Sequence, residues 1–275
     1  MKIIISPTKT MKSKDEGSGV LSRPFFLDET ENLLNILKQM DYDQLKELWQ
    51  CSDKLAQENF ERVQKMDLGR NLSPAILTYE GLVFKYMAPW VFTQEMWEYA
   101  NEHLRILSGF YGVVSPLDGI TPYRLEMQAE LKNPRGKNLY EFWGRRLYEA
   151  LAEDESANGD AKPLTIINLA SEEYSKCIEK YLEPEDKFIT IVFGEYKTNK
   201  VGQLVLDKNG QPKIVTKATP AKMARGEMVR FMAEGQIEDI EDIKTFVNGG
   251  FACREDLCDE KTLVFVKNET SGMEE

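Results

Sequence analysis

Short apolar, β-branched runs alternate with amphipathic helical stretches from one end of this chain to the other. That alternation is the tightest constraint on its fold. Strands separated by helices supply a sheet whose faces the helices cover, whereas consecutive hairpins would give a sandwich and unbroken heptads a coiled coil. Lys2–Ile5, Thr165–Leu169, Phe188–Phe193 and Thr262–Lys267 read as buried strands. In Pro122–Met127, Tyr123, Leu125 and Met127 alternate with Arg124 and Glu126, as in a half-buried strand. The reading is α/β (mixed α+β), a single compact domain over residues 1–275 with a central mixed sheet flanked by helices. There is no internal repeat and no long linker.

Helices are expected after Asp28 (Leu33, Leu34, Ile36, Leu37 and Met40 on one stripe), after Asp41 or Asp43, and after Ser52, whose hydroxyl suits an N-cap. Thr93 opens another, with Met96, Trp97, Ala100, Leu104 and Leu107 on one face and a stop at Gly109. Asn138–Leu151 reads as helical, and Ser171 opens a helix striped by Tyr174, Cys177, Ile178 and Tyr181. Leu204–Leu206 and Lys213–Thr216 flank a hairpin turn centred on Asn209-Gly210. Thr219-Pro220 starts a further helix with residues suited to N-cap and N1. Flexible loops are expected near 12–24 and 153–163, and a frayed tail at 268–275.

Composition bounds the function. No stretch approaches the roughly 20 apolar residues that span a bilayer, and Ile3-Ile4-Ile5 before Ser6-Pro7 is too brief for a signal peptide. The four cysteines (Cys51, Cys177, Cys253, Cys258) lack C-x-x-C spacing, and the x4 gap of the last pair, with no histidine partners, reads as reduced, incidental thiols rather than zinc ligands. A cytoplasmic location follows. The single histidine excludes a two-histidine metal site, so no metal and no cofactor is assigned.

A net charge of −11 argues against indiscriminate binding to nucleic acid, but the charge is uneven. Residues 28–67 carry −5 and 231–260 carry −7, whereas 197–230 carry +6 and the first fourteen +4. In the helix after Thr219, Lys222, Arg225, Gly226 and Arg230 gather opposite Ala221, Ala224, Met228, Phe231 and Met232. Cations near a helix N-terminus oppose its dipole, and glycine in a helix costs up to about 1 kcal/mol against alanine. Both costs suit an anion held at a cationic, glycine-notched face. The turn Ser108-Gly109-Phe-Tyr-Gly112 resembles, with looser spacing, the glycine turn by which helix-hairpin-helix elements hold a DNA phosphate. Arg124 and Glu126 share a face, either as an exposed ion pair or as a positioned pair in a cleft.

Phosphate-binding, dinucleotide-binding, nucleophile-elbow and zinc-protease signatures are all missing, and His103 reads as structural. No catalytic residue is assigned, and the pattern leans away from an enzyme.

Several segments together resemble the YaaA family: Ile4-Ile-Ser-Pro-Thr-Lys-Thr10, Ser52-Asp-Lys-Leu-Ala56, His103–Gly112, Pro116-Leu-Asp118, Pro122–Met127, Asn138–Trp143, Ile167–Tyr174 and Ala224-Arg-Gly-Glu-Met228 with Arg230. They run in order over nearly the whole chain. The resemblance implies a cytosolic bacterial protein of the hydrogen peroxide response that keeps unincorporated iron low, with a mixed α/β domain, a basic cleft and a DNA-binding association. It places Lys9, Arg124, Glu126, Lys222, Arg225 and Arg230 at motif positions. Leu82, Phe84, Ser115 and Met223 depart from the family pattern, at positions where it carries an acid, a tyrosine, a base and a lysine. The resulting expectation is a cleft built from Lys9, Arg124 and the 222–230 helix that binds duplex or branched DNA, or another phosphate-bearing ligand. The alternative is an enzyme acting on a small phosphorylated or nucleotide-like substrate, with Glu126 or Asp118 as base. Direct iron binding through oxygen ligands ranks below both. The oligomeric state is left open.

Overall fold

The computed structural model describes residues 1–13, 22–156, 163–206 and 210–267. Most of the 12–24 loop, the later part of 153–163, the Asp207–Asn209 hairpin tip and the 268–275 tail lie outside the described residues. Among the described residues, nine strands form a mixed sheet: β1 (Lys2–Ile5), β2 (Leu104–Ser108), β3 (Gly112–Val114), β4 (Thr165–Asn168), β5 (Lys187–Tyr196), β6 (Ile214–Val215), β7 (Val247–Asn248), β8 (Phe251–Cys253) and β9 (Thr262–Lys267). Helices fall between them, so the fold is mixed α/β. By contact density the chain divides into two units. The first comprises Met1–Glu80, Asn101–Ile166 and Ala170–Asp186; the second comprises Gly81–Ala100, Ile167–Leu169 and Lys187–Glu275.

In the first unit the strand order is β1, β2, β3. β1 runs parallel to β2 with Ile3 opposite Leu104 and Ile5 opposite Ile106, and β2 turns back antiparallel into β3. Ile3, Ile4 and Ile5 are all fully buried, as a strand covered on both faces requires. Lys2 is buried too. Its ammonium donates to the Glu102 carbonyl at 2.9 Å and meets Asp154 at 3.0 Å, which satisfies a charge that burial would otherwise penalise. Helices Leu27–Gln39, Tyr42–Trp49 and Asp53–Lys65 follow β1. Asp41 is the N-cap of the second, in a full capping box with Gln44. Ser52 is the N-cap of the third, but its hydroxyl makes no cap hydrogen bond.

In the second unit the order is β7, β8, β9, β5, with β6 paired to the Glu195-Tyr196 end of β5. β9 is parallel to β5, and the remaining pairs are antiparallel. Phe193, Phe231, Phe246, Phe251 and Phe265 pack edge-on or tilted with ring centroids 5.3–5.9 Å apart, forming the aromatic core of this unit. The arms of the expected hairpin do pair, Lys213 N–H donating to the Val205 carbonyl at 2.8 Å.

Four expectations shift. The Thr93 helix is Gln94–His103, and the five residues after it form β2. Leu-Arg-Ile-Leu-Ser continues a helical stripe but also fits a buried strand, and pairing with the wholly apolar β1 decides in favour of the strand. Pro122–Met127 keeps its alternation of burial but belongs to no strand, and it ends in a turn closed by the Ala129 amide on the Glu126 carbonyl at 3.1 Å. Asn138–Leu151 is two helices, Leu139–Trp143 and Arg146–Ser156, broken at Gly144 with φ +52 and running into the expected loop. The last long helix begins at Ala218 rather than Pro220. Pro220 sits in its first turn, where an N–H would have no partner anyway. The β7–β8 hairpin was not anticipated. Asn248-Gly249-Gly250, with φ +56 and +79 at the glycines, is the signal that marks it.

Candidate functional site

In the 122–127 segment Arg124 and Glu126 are half-buried, between buried Tyr123, Leu125 and Met127. Glu126 Oε2 accepts from Lys9 Nζ at 2.6 Å, and Oε1 accepts from Arg124 Nη2 at 3.3 Å. Lys9 is 61% exposed but Arg124 only 10%, so the Arg124–Glu126 pair is the desolvated one. Arg124 Nε is buried and has no hydrogen-bond partner among the described residues. Glu173, on the helix Glu172–Glu179, accepts the Gln128 amide at 3.3 Å. Burial raises the Glu173 pKa, and the charge of Glu126 raises it further, against the Gln128 and Met127 amides and Lys9. A carboxylate whose pKa is raised by burial, with a second carboxylate, an ammonium and a guanidinium beside it, can bind an anion and move a proton. Lys9, Arg124 and Glu126 are thus brought together. Glu173 and Gln128 were not singled out, although Ser171-Glu-Glu-Tyr174 carried the first of them.

Gly109 and Gly112 serve a different purpose from the one expected. The turn joins β2 to β3 and is buried. The Phe110 and Tyr111 amides donate to Ser108 Oγ at 3.1 and 2.9 Å, so no amide of that pair is left for a phosphate. A Cβ at Gly109 would lie 2.7 Å from the Leu125 carbonyl oxygen, and Gly112, with φ +77, faces the Phe26 and Trp143 rings. These glycines let the 125–127 backbone and two aromatic rings approach. Ser108 Oγ also meets the Tyr123 hydroxyl at 2.6 Å, which in turn meets Tyr79 at 2.9 Å.

In the second unit, the helix Ala218–Gly235 packs along the helix Leu82–Met87. Gly226 is buried against Val83 and Met87, so the notch expected to admit an anion admits a helix backbone instead. Arg230 is tied to Glu234 at 2.6 Å. Lys222 is exposed. Arg225 is half-buried, its Nε wholly so, and it has neither a hydrogen bond nor a carboxylate among the described residues. The facing helix, Leu-Val-Phe-Lys-Tyr-Met, offers no acid. Burial lowers the Arg225 pKa, though a guanidinium remains charged. Lys222 and Arg225 are the cations of this helix without a carboxylate partner among the described residues.

Asp118 is buried and accepts from Ser22 Oγ at 2.6 Å and the Ser115 amide at 2.8 Å, which fixes it as a turn staple rather than an available base. His103 is buried with Nδ1 2.8 Å from the Met1 carbonyl. Among the described residues no group of three His, Cys, Asp or Glu side chains could hold a metal ion, and no helix is long and apolar enough to cross a membrane.

The sequence model of a family described as peroxide stress protein YaaA matches residues 1–257. A UPF0246 protein of Agathobacter rectalis is 49% identical over 265 residues, covering 96% of this chain and 98% of the relative. Another from Lachnoclostridium phytofermentans is 47% identical over 271 residues, covering 98% of each. A third, from Pediococcus pentosaceus, is 46% identical over 269 residues, covering 98% of this chain and 99% of its own. Together with the ordered motifs and the mixed α/β fold, these matches establish that the chain belongs to the peroxide stress protein YaaA family.

Proposed function

We infer that this peroxide-stress protein acts in the cytoplasm by binding the phosphates of duplex or branched DNA, or of another phosphate-bearing ligand, through Lys222 and Arg225. The observation that carries this reading is Arg225. A guanidinium with a buried, unpartnered Nε costs stability unless an anion completes it. The net charge of −11 makes such binding local, with the rest of the surface repelling the polyanion. Protection through low unincorporated iron rests on the family resemblance alone. Fluorescence anisotropy with duplex and branched DNA across a salt series tests the reading. Contact with about two phosphates, one for each of these cations, gives log K a slope near −2 against log salt. Binding that is absent at low salt, or unaltered in Lys222→Ala/Arg225→Ala, defeats it.

A second reading has its own observation. Glu126 and Glu173, with Lys9 and Arg124, form the acid–base set of an enzyme acting on a small phosphorylated or nucleotide-like substrate. A thermal-shift panel separates the two. Under this reading mononucleotides raise Tm and longer DNA adds nothing; under the first, the gain grows with DNA length.

A further inference from the structure

Cys253 ends β8 and Cys258 follows the short 3-10 turn Glu255–Leu257, both in the second unit and both half-buried. Their sulfurs lie 3.7 Å apart, although the residues are five apart in sequence. The frame around them is fixed. Cys253 is opposite Phe265 on β9, Arg254 N–H donates to the Val264 carbonyl at 2.9 Å, and Val264 N–H donates to Cys258 Sγ at 3.3 Å. Cys258 Sγ in turn lies 3.2 Å from the Arg254 carbonyl, so its position is held from two sides. Of the charges nearby, Glu255 opposes and Lys244 favours loss of the Cys253 proton, and the Lys244 ammonium is itself held by both Glu241 carboxylate oxygens at 2.7 Å. A disulfide bond is about 2 Å long, so the two sulfurs stand one short approach from bonding distance.

We propose that Cys253 and Cys258 form a dithiol site that hydrogen peroxide converts to an intramolecular disulfide, with Cys258 as the attacking sulfur and Cys253 as the resolving one. The Cys258 thiolate attacks one peroxide oxygen. The O–O bond breaks, a sulfenic acid forms, and the departing hydroxide takes a proton to become water. The Cys253 sulfur then attacks Cys258 Sγ, the S–S bond forms, and the sulfenic oxygen leaves as a second water carrying the Cys253 proton. Two thiols lose two electrons and one peroxide becomes two waters. The assignment of roles follows from the environment. Burial and the adjacent Cys258 sulfur hold the Cys253 thiol well above its ordinary pKa, so it stays protonated beside its partner. The site is independent of the anion-binding reading, because no residue is shared.

The test uses the full-length, fully reduced protein and one equivalent of hydrogen peroxide. Thiol titration under denaturing conditions is expected to fall from four free cysteines to two. Mass spectrometry is expected to find the peptide spanning residues 253–258 lighter by two hydrogens. Cys253→Ser should halt at a sulfenic acid on Cys258, captured by dimedone, at a rate within about twofold of wild type. Cys258→Ser should slow oxidation at least about tenfold. Four thiols surviving stoichiometric peroxide, or a disulfide involving Cys51 or Cys177, overturns the proposal. So does dimedone labelling at Cys253 in place of Cys258. The wild-type thiol count does not depend on either variant folding.

Discussion

Gly226 lies directly against the Val83 carbonyl, with the Met87 amide so near that a Cβ at Gly226 would sit 2.8 Å from it. The contact joins the Leu82–Met87 and Ala218–Gly235 helices through backbone. Gly226→Ala would gain up to about 1 kcal/mol of helix propensity but push two backbones apart. Overpacking of this kind costs about 1–3 kcal/mol, so the net change is a loss. Urea denaturation should show a lower midpoint. An unchanged or higher midpoint would mean that the helices separate without cost.

Arg225 gives the opposite sign. Replacing an unpartnered, half-buried guanidinium by an apolar chain of similar length removes a desolvation cost. Arg225→Met is expected to melt no lower than wild type while weakening DNA binding about tenfold or more. A variant that loses both stability and binding would point to a packing role instead.

The cation pair on Glu126 should divide unequally. Lys9 is solvent-exposed, so Lys9→Ala costs about 0–1 kcal/mol. Arg124→Ala strips a desolvated carboxylate of its buried partner and costs about 1–3 kcal/mol. Paired chemical denaturation curves decide the order, and equal losses would contradict the burial difference.

Glu173 predicts a pH signature. Its folded pKa is raised by burial and by Glu126, so the folded state holds its proton more tightly than the unfolded chain. Stability from this group therefore falls as pH rises from the unfolded value of about 4.3 through the raised folded one. Glu173→Gln removes that loss and should be the more stable protein at pH 7, with the difference vanishing in acid. A difference that grows on acidification would reverse the assignment.

Ser108 accepts two amides and meets the Tyr123 hydroxyl in a buried turn. Ser108→Ala leaves these groups without a partner, at about 1–3 kcal/mol for each that finds no substitute. Amide exchange at Phe110 and Tyr111 should accelerate in the variant. Unchanged exchange would show that other acceptors take over.

Much of this was legible without coordinates. Ile3-Ile4-Ile5 could only be a doubly covered strand, Asp41 carried its capping box in its spacing with Gln44, and Tyr123/Leu125/Met127 showed which side of their segment is buried. These features depend on neighbours within a few residues. Leu104–Ser108 was not legible in the same way, because its apolar residues satisfy two periods and only β1 distinguishes them. Glu173 escaped for a related reason. It lies 47 residues beyond Glu126 in a chain with 46 acids, and nothing local marks it as that carboxylate's neighbour.

The sequence by itself determined the alternating α/β class, the family, and the cationic composition of the 222–230 helix. Each is written in local pattern or in ordered motifs. Only the tertiary structure decided what the glycines are for, since a helix face at Gly226 and a buried turn at Gly109–Gly112 are set by distant backbone that fills the space a side chain would occupy. It also decided which charges are neutralised. Arg230 and Lys9 find carboxylates, Arg225 finds none among the described residues, and Cys253 finds Cys258. Charge and thiol chemistry depend on distance in space, which folding alone supplies.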